Sequence, residues 1–193
     1  MSKLATWGRR SLVLVLALSA GWNLGQGLYI EAKARLAQLL LQQAWDETRQ
    51  GVEKARPWAW ADTWPVARLR QPRLDVDQIV LAGASGRTLA FGPGYLFGSA
   101  APGSDGHSII SGHRDTHFGF LKDLQLGDRL EVTNSAGEVI QYAVYQREVM
   151  HENSLERLQV DDARLTLITC YPFDVIQPGT DQRYVVTARP VLM

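Results

Sequence analysis

Leu165-Thr-Leu-Ile-Thr-Cys170-Tyr-Pro172 is a run of apolar and threonine residues that ends on the chain's single cysteine and is broken by a proline two residues later. Unbroken apolar-and-threonine character over 165–169 is expected of a buried central strand. Cys170 therefore stands at a strand end, a rigid place with access to solvent. A lone thiol is either a small buried hydrophobe or a reactive group. A strand end suits a nucleophile better than an inert core thiol. A free thiol is only a few per cent thiolate at neutral pH, yet already a good nucleophile, and a nearby cation enlarges that fraction.

The sequence on either side of this run reads as β structure. Short strand-like runs lie at 78–82, 108–111, 129–132, 139–146 and 183–188. Turn chemistry separates them at 83–86, 92–94, 102–106, 134–137 and 178–181. Residues 118–124 and 153–158 could each form a helical turn or two. Regular strand spacing with turn signals predicts an all-β domain, a closed barrel or a sandwich.

Two further segments carry chemistry-bearing side chains at strand ends. His113 follows the strand 108–111, and strand ends of a small barrel can converge on one cleft. Gly112 lets the backbone approach closely, and Arg114 and Asp115 keep the surroundings polar. His107, His117 and His151 do not directly follow a strand and are weaker candidates. Arg183 opens the last strand. An arginine there stays charged and offers a fork of donors, suited to a developing oxyanion or a peptide carbonyl. Taken singly, a surface loop histidine and a surface ion-paired arginine are the better readings of these two residues.

The N-terminal third has a different character. Lys3, Arg9 and Arg10 precede an uncharged stretch over 11–30, long enough at helical rise to cross a hydrocarbon core. Basic residues before the span favour an N-terminus left in the cytoplasm. A cleaved signal peptide is the alternative, weakened because a cut after Ala20 would put Leu18 where a small residue is wanted. Leu36, Leu39, Leu40 and Ala44 continue a helical period, and Gly51 and Pro57 limit it. The expected order is a cytoplasmic N-terminus (1–10), a transmembrane anchor (11–30), a helical stalk (31–55) and a β domain (56–193). All six tryptophans lie at or before position 64, and residues 56–65, with two prolines and three tryptophans, suit an extended strap packed on the domain.

Composition excludes several classes. Twenty acidic side chains balance twenty basic ones, so no field points to nucleic acid. One cysteine forbids a disulfide within the chain. His113 and His117 are four apart, like a metal pair on a helix, but no HExxH occurs and the glycine and threonine nearby do not read as helix. His113-Arg-Asp115 lacks the asparagine of a kinase catalytic loop, with Phe120 in its place. Gly83-Ala-Ser-Gly86 lacks the spacing of a serine nucleophile elbow.

Thr166-Leu-Ile-Thr-Cys170 resembles the TLxTC signature of the sortases, and the order histidine, TLxTC, arginine about a dozen residues later is similar to theirs. Gly112-His113-Arg114-Asp115-Thr116, followed by Leu121, Leu124 and Gly127-Asp128, resembles the segment carrying the sortase histidine. Cys170-Tyr-Pro-Phe173 is similar to the class D side of the family. The tryptophan-rich strap and 81–94 look like the proteobacterial class GN sortases. The likeness runs from about Arg56 to Pro190.

The resemblance implies an eight-stranded barrel with the cysteine and arginine on neighbouring strands. It implies a cysteine transpeptidase acting on an LPxTG-like signal near a substrate protein's C-terminus through a thioester. Cys170 is then the nucleophile, His113 its proton partner and Arg183 the oxyanion donor. Thr169 would help to bind the signal or to orient Cys170, or simply pack in its strand. An amine of the cell envelope would be the acceptor. The chain would sit in the bacterial cytoplasmic membrane with its domain outside. Asp105, Asp115, Asp123, Asp161, Asp162 and Asp174 show no loop-like calcium spacing, so neither metal nor cofactor is expected. The rival to an enzyme is an anchored, non-catalytic barrel that binds or scaffolds in the envelope.

Overall fold

The computed structural model describes residues 3–158, 162–175 and 179–191. It has two compact units, Met1–Leu39 and Leu40–Met193. The first is most of one helix, α1 (Lys3–Arg49). Leu12, Leu14, Leu16 and Leu18 are all exposed on it, and the helix is long and apolar enough to cross a membrane. Its far end belongs to the second unit. Leu41, Ala44 and Trp45, at three- and four-residue steps, are buried there. The helix stops where Gly51 takes φ 94°. The Gly51 amide donates to the Thr48 carbonyl at 3.0 Å and the Val52 amide to Glu47 at 3.1 Å. This paired closure needs a left-handed residue, which glycine adopts without steric cost.

The second unit is a closed barrel of eight strands. They are β1 (Pro65–Gln71), β2 (Val76–Ala82), β3 (Gly94–Tyr95), β4 (His107–Ser111), β5 (Arg129–Asn134), β6 (Val139–His151), β7 (Arg164–Tyr171) and β8 (Gln182–Pro190). Their order round the barrel is β1-β2-β3-β4-β7-β8-β6-β5, closed by β1 pairing with β5. Closure leaves no long free edge. β2–β3 and β4–β7 are parallel, and the other neighbours are antiparallel. Alternate residues point inward to a core that includes Leu69, Val80, Ile110, Leu130, Leu165 and Leu167, all fully buried.

The all-β barrel read from the sequence is therefore present, and β7 is the buried strand it was expected to be. Two strands and part of a third escaped the pattern. β1 alternates Ala67 and Leu69 inward with Arg68 and Arg70 outward, but it starts on a proline beside the tryptophan-rich strap. β3 has only two residues, held by Leu81 and Ala82 on one side and Ile110 and Ser111 on the other, so no local pattern marks it. β6 runs on to His151 past a bulge near Val144, because β8 continues to pair with it although Arg147 and Glu148 look like loop residues. A short helix α2 (Gly86–Leu89), capped by the Ser85 hydroxyl, occupies part of the glycine-rich turn.

Candidate active site

β7 lies between β4 and β8, and both neighbours carry one of the side chains that the sequence singled out. Along β7, Leu165 and Leu167 face the barrel core, so Thr166, Ile168 and Cys170 face out. On β8, Val186 and Ala188 face in, so Arg183, Val185 and Thr187 face out. The register pairs Cys170 with Arg183 directly, Ile168 with Val185 and Thr166 with Thr187. Cys170 and Arg183 are thus cross-strand neighbours on the same outer face. The third strand is parallel: Ser111 of β4 pairs with Ile168 of β7. His113 lies two residues beyond Ser111, and Cys170 two residues beyond Ile168. With neighbouring strands about 4.8 Å apart, the thiol, the imidazole and the guanidinium are carried at one end of three adjacent strands. Cys170 and Arg183 are half-buried and His113 is exposed.

The outer face next to Cys170 is apolar. Ile109, Ile168 and Val185 point out of the barrel yet are buried, with Met150 of β6 and Leu155 packed against them. Leu155 belongs to the 3-10 segment Glu152–Leu158 that leads from β6 toward β7. Glu152 ties this segment to the site. Its amide donates to the Asp181 carbonyl at 2.8 Å, and its carboxylate accepts from Arg183 Nη2 at 2.5 Å. Arg183 Nη1 donates to the carbonyls of Thr180 and Gln182. Nothing in the sequence marks Glu152 as the partner of Arg183, because the two meet only through the β6–β8 pairing.

The histidine turn is stitched to β7 and β2. The Gly112 amide donates to the Ile168 carbonyl at 3.1 Å, and the Thr169 hydroxyl, buried, donates to the Gly112 carbonyl at 2.7 Å. Gly112 is needed for close approach: a Cβ there would lie 2.7 Å from the Phe118 ring, which is fully buried beneath the turn. Gln78 Nε2 donates to the His117 carbonyl at 2.7 Å. Arg114, which the sequence marked only as polar, is buried. It donates from Nη1 to the Pro172 carbonyl at 2.7 Å and from Nη2 to the Val175 carbonyl at 2.6 Å. The peptide bond between Tyr171 and Pro172 is cis.

The other histidines have different surroundings. His107 is buried, and its Nε2 shares a 2.7 Å hydrogen bond with Thr166 Oγ1. His151 accepts the Asn153 amide through Nδ1. His117 titrates below the ordinary histidine range, mainly because it is desolvated and also because the His113 charge repels a second one. A hydrogen bond to the Ala90 backbone opposes this in part. Among the described residues no group of three or more His, Cys, Asp or Glu side chains converges as a metal site would. The cleft between the end of α1 and β1, β2 and β5, about 490 Å³, is lined by Trp45, Arg49, Arg68, Arg70 and Asp77. β1 is four strands round the barrel from β7, so this cleft is remote from Cys170.

Residues 69–191 match the sortase domain, and the chain belongs to the sortase family. It is similar to sortase D of Bacillus subtilis strain 168, 30% identical over 125 residues, which are 64% of this chain and 62% of that protein. The chain thus matches less than two thirds of that relative's length. Among solved structures it resembles sortase A from Corynebacterium diphtheriae, with a TM-score of 0.61, 30% identity, and 69% of this chain and 64% of that one covered. It also resembles sortase C-1 from Actinomyces oris, with a TM-score of 0.59, 33% identity, and 67% and 76% covered.

Proposed function

We propose that the chain is a cysteine transpeptidase that cleaves an LPxTG-like C-terminal sorting signal and transfers the substrate protein to an amine of the cell envelope. The observation that carries the reading is the direct cross-strand pairing of Cys170 with Arg183, beside the strand that leads to His113. α1 would hold the enzyme in the bacterial cytoplasmic membrane with its barrel on the extracytoplasmic side.

In this reading the Cys170 thiol gives its proton to His113 as the sulfur attacks the threonine carbonyl carbon of the signal, and the carbonyl electrons move to its oxygen. Arg183 donates hydrogen bonds to that oxygen. A guanidinium has five N–H donors, and three are engaged with Glu152, Thr180 and Gln182, so among the described residues the Nε–H and one Nη2–H remain for the oxyanion. As the C–N bond breaks, the His113 imidazolium gives its proton to the leaving amine. The acyl group stays on sulfur as a thioester. The acceptor amine then attacks the thioester carbonyl, His113 takes the amine's proton, and the new amide leaves the sulfur free. Thr169 acts through Gly112, holding β7 and the histidine turn in register.

The test is incubation of the full chain, in detergent, with a library of LPxTG-type peptides and candidate amines, followed by mass spectrometry. A thioacyl adduct on Cys170, resolved by an amine, is expected. Failure to acylate with any peptide, or envelope function retained by Cys170→Ala, would leave the scaffold reading instead.

A further inference from the structure

We propose that Arg114 is a positioning residue that holds the His113 turn against the segment following Cys170, and so sets how well the imidazole serves the sulfur. This rests on the reading of Cys170 and His113 as nucleophile and proton partner.

Three observations support it. The Arg114 side chain is only 7% exposed, and a buried cation is tolerated only where its donors are satisfied. Two of those donors go to main-chain carbonyls, Pro172 and Val175, two and five residues past the cysteine. The carboxylate of Asp115, 3.4 Å from Nε, is itself exposed. A planar fork fixed on two carbonyls of one loop determines the orientation of that loop as well as its distance.

The turn at the other end of the side chain is tight. The His113 carbonyl accepts the Phe118 amide at 2.9 Å, and a Cβ on Gly119 would lie 3.0 Å from the Arg114 carbonyl. Displacing Arg114 therefore displaces His113. The imidazole is exposed and, among the described residues, has no side-chain hydrogen bond of its own, so its location depends on the backbone that carries it. A misplacement of about 1 Å between reacting groups can cost on the order of 10²-fold in rate.

The single cysteine makes the test direct, because iodoacetamide then reports Cys170 alone. Alkylation rates at neutral pH are compared for the full chain in detergent, for His113→Ala, Arg114→Met and Arg114→Lys, and for the His113→Ala/Arg114→Met double variant. Circular dichroism checks that each is folded. Loss of the imidazole, the base that takes the thiol proton as the sulfur attacks, is expected to slow alkylation roughly tenfold. Arg114→Met should slow it comparably, and the double variant no further than His113→Ala alone. Arg114→Lys, which keeps the charge but reaches one carbonyl, should fall between and serves if the methionine variant does not fold. A folded Arg114 variant alkylated at the wild-type rate, or losses that multiply in the double variant, would overturn the proposal while leaving the transpeptidase reading intact. A wild-type rate for His113→Ala would instead remove His113 as the proton partner of the thiol, and this proposal with it.

Discussion

The two sides of the barrel treat their outward-facing residues in opposite ways. Where β1, β2 and β5 adjoin, the outward Arg68, Arg70, Asp77 and Glu131 are charged and paired. Arg68 grips Asp77 through two bonds at 2.5 and 2.8 Å, and Arg70 lies between Asp77 and Glu131. This is the ordinary solution for the wet face of a sheet. On β4, β7 and β8 the outward Ile109, Ile168 and Val185 are buried although they face away from the core. A sheet with both faces apolar must be covered on both. Here Leu155 of the 3-10 segment after β6 covers part of the second face.

Substitutions can break or sharpen this contrast. The largest effect is expected from Cys170→Ala, which should abolish acyl-enzyme formation, read as loss of the peptide adduct in mass spectrometry. No second thiol exists to replace it. Arg183→Ala should lower turnover by roughly 10²–10³ with the fold retained, as loss of one oxyanion donor does elsewhere. A smaller loss would point to the Glu152 ion pair as the chief role of Arg183.

Stability should separate the two faces as well. Ile168→Ala is expected to cost about 2 kcal/mol in chemical denaturation, the low end for a buried isoleucine, because half-buried Met150 and Leu155 can close in. Asp77→Ala on the opposite face should cost at most about 1 kcal/mol, since its pairs with Arg68 and Arg70 are partly exposed. It should leave turnover unchanged. Equal costs on the two faces would contradict the contrast.

The smallest effect concerns pH. His117 takes up its proton less readily in the folded chain than when unfolded. As pH falls through the ordinary histidine range, the unfolded state gains protons first and stability drops. Above that range the contribution disappears. His117→Gln should therefore flatten the decline in melting temperature between neutral and mildly acidic pH. An unchanged slope would assign the decline to other groups.

Much of this was legible before folding. The unbroken apolar run of β7, the proline that ends it, the uncharged stretch after Arg10 and the glycine that stops α1 are local signals, written in composition and period. The TLxTC and Gly-His-Arg-Asp-Thr segments likewise named Cys170 and His113. Arg183 was weaker, because an arginine opening a strand is common and only its register with Cys170 distinguishes it. β3 left no pattern because it is two residues held between partners. Arg114 was visible beside His113, but its burial was not.

Sequence alone determined which chemistry the chain can carry: one thiol, a histidine and an arginine at strand ends, and one apolar helix. Tertiary structure decided which of these groups meet. β4 and β7 are joined by a parallel pairing across more than fifty residues, and Thr169 reaches Gly112 over 57 positions. Such contacts depend on where the closed barrel brings distant strands together, and no local propensity encodes them.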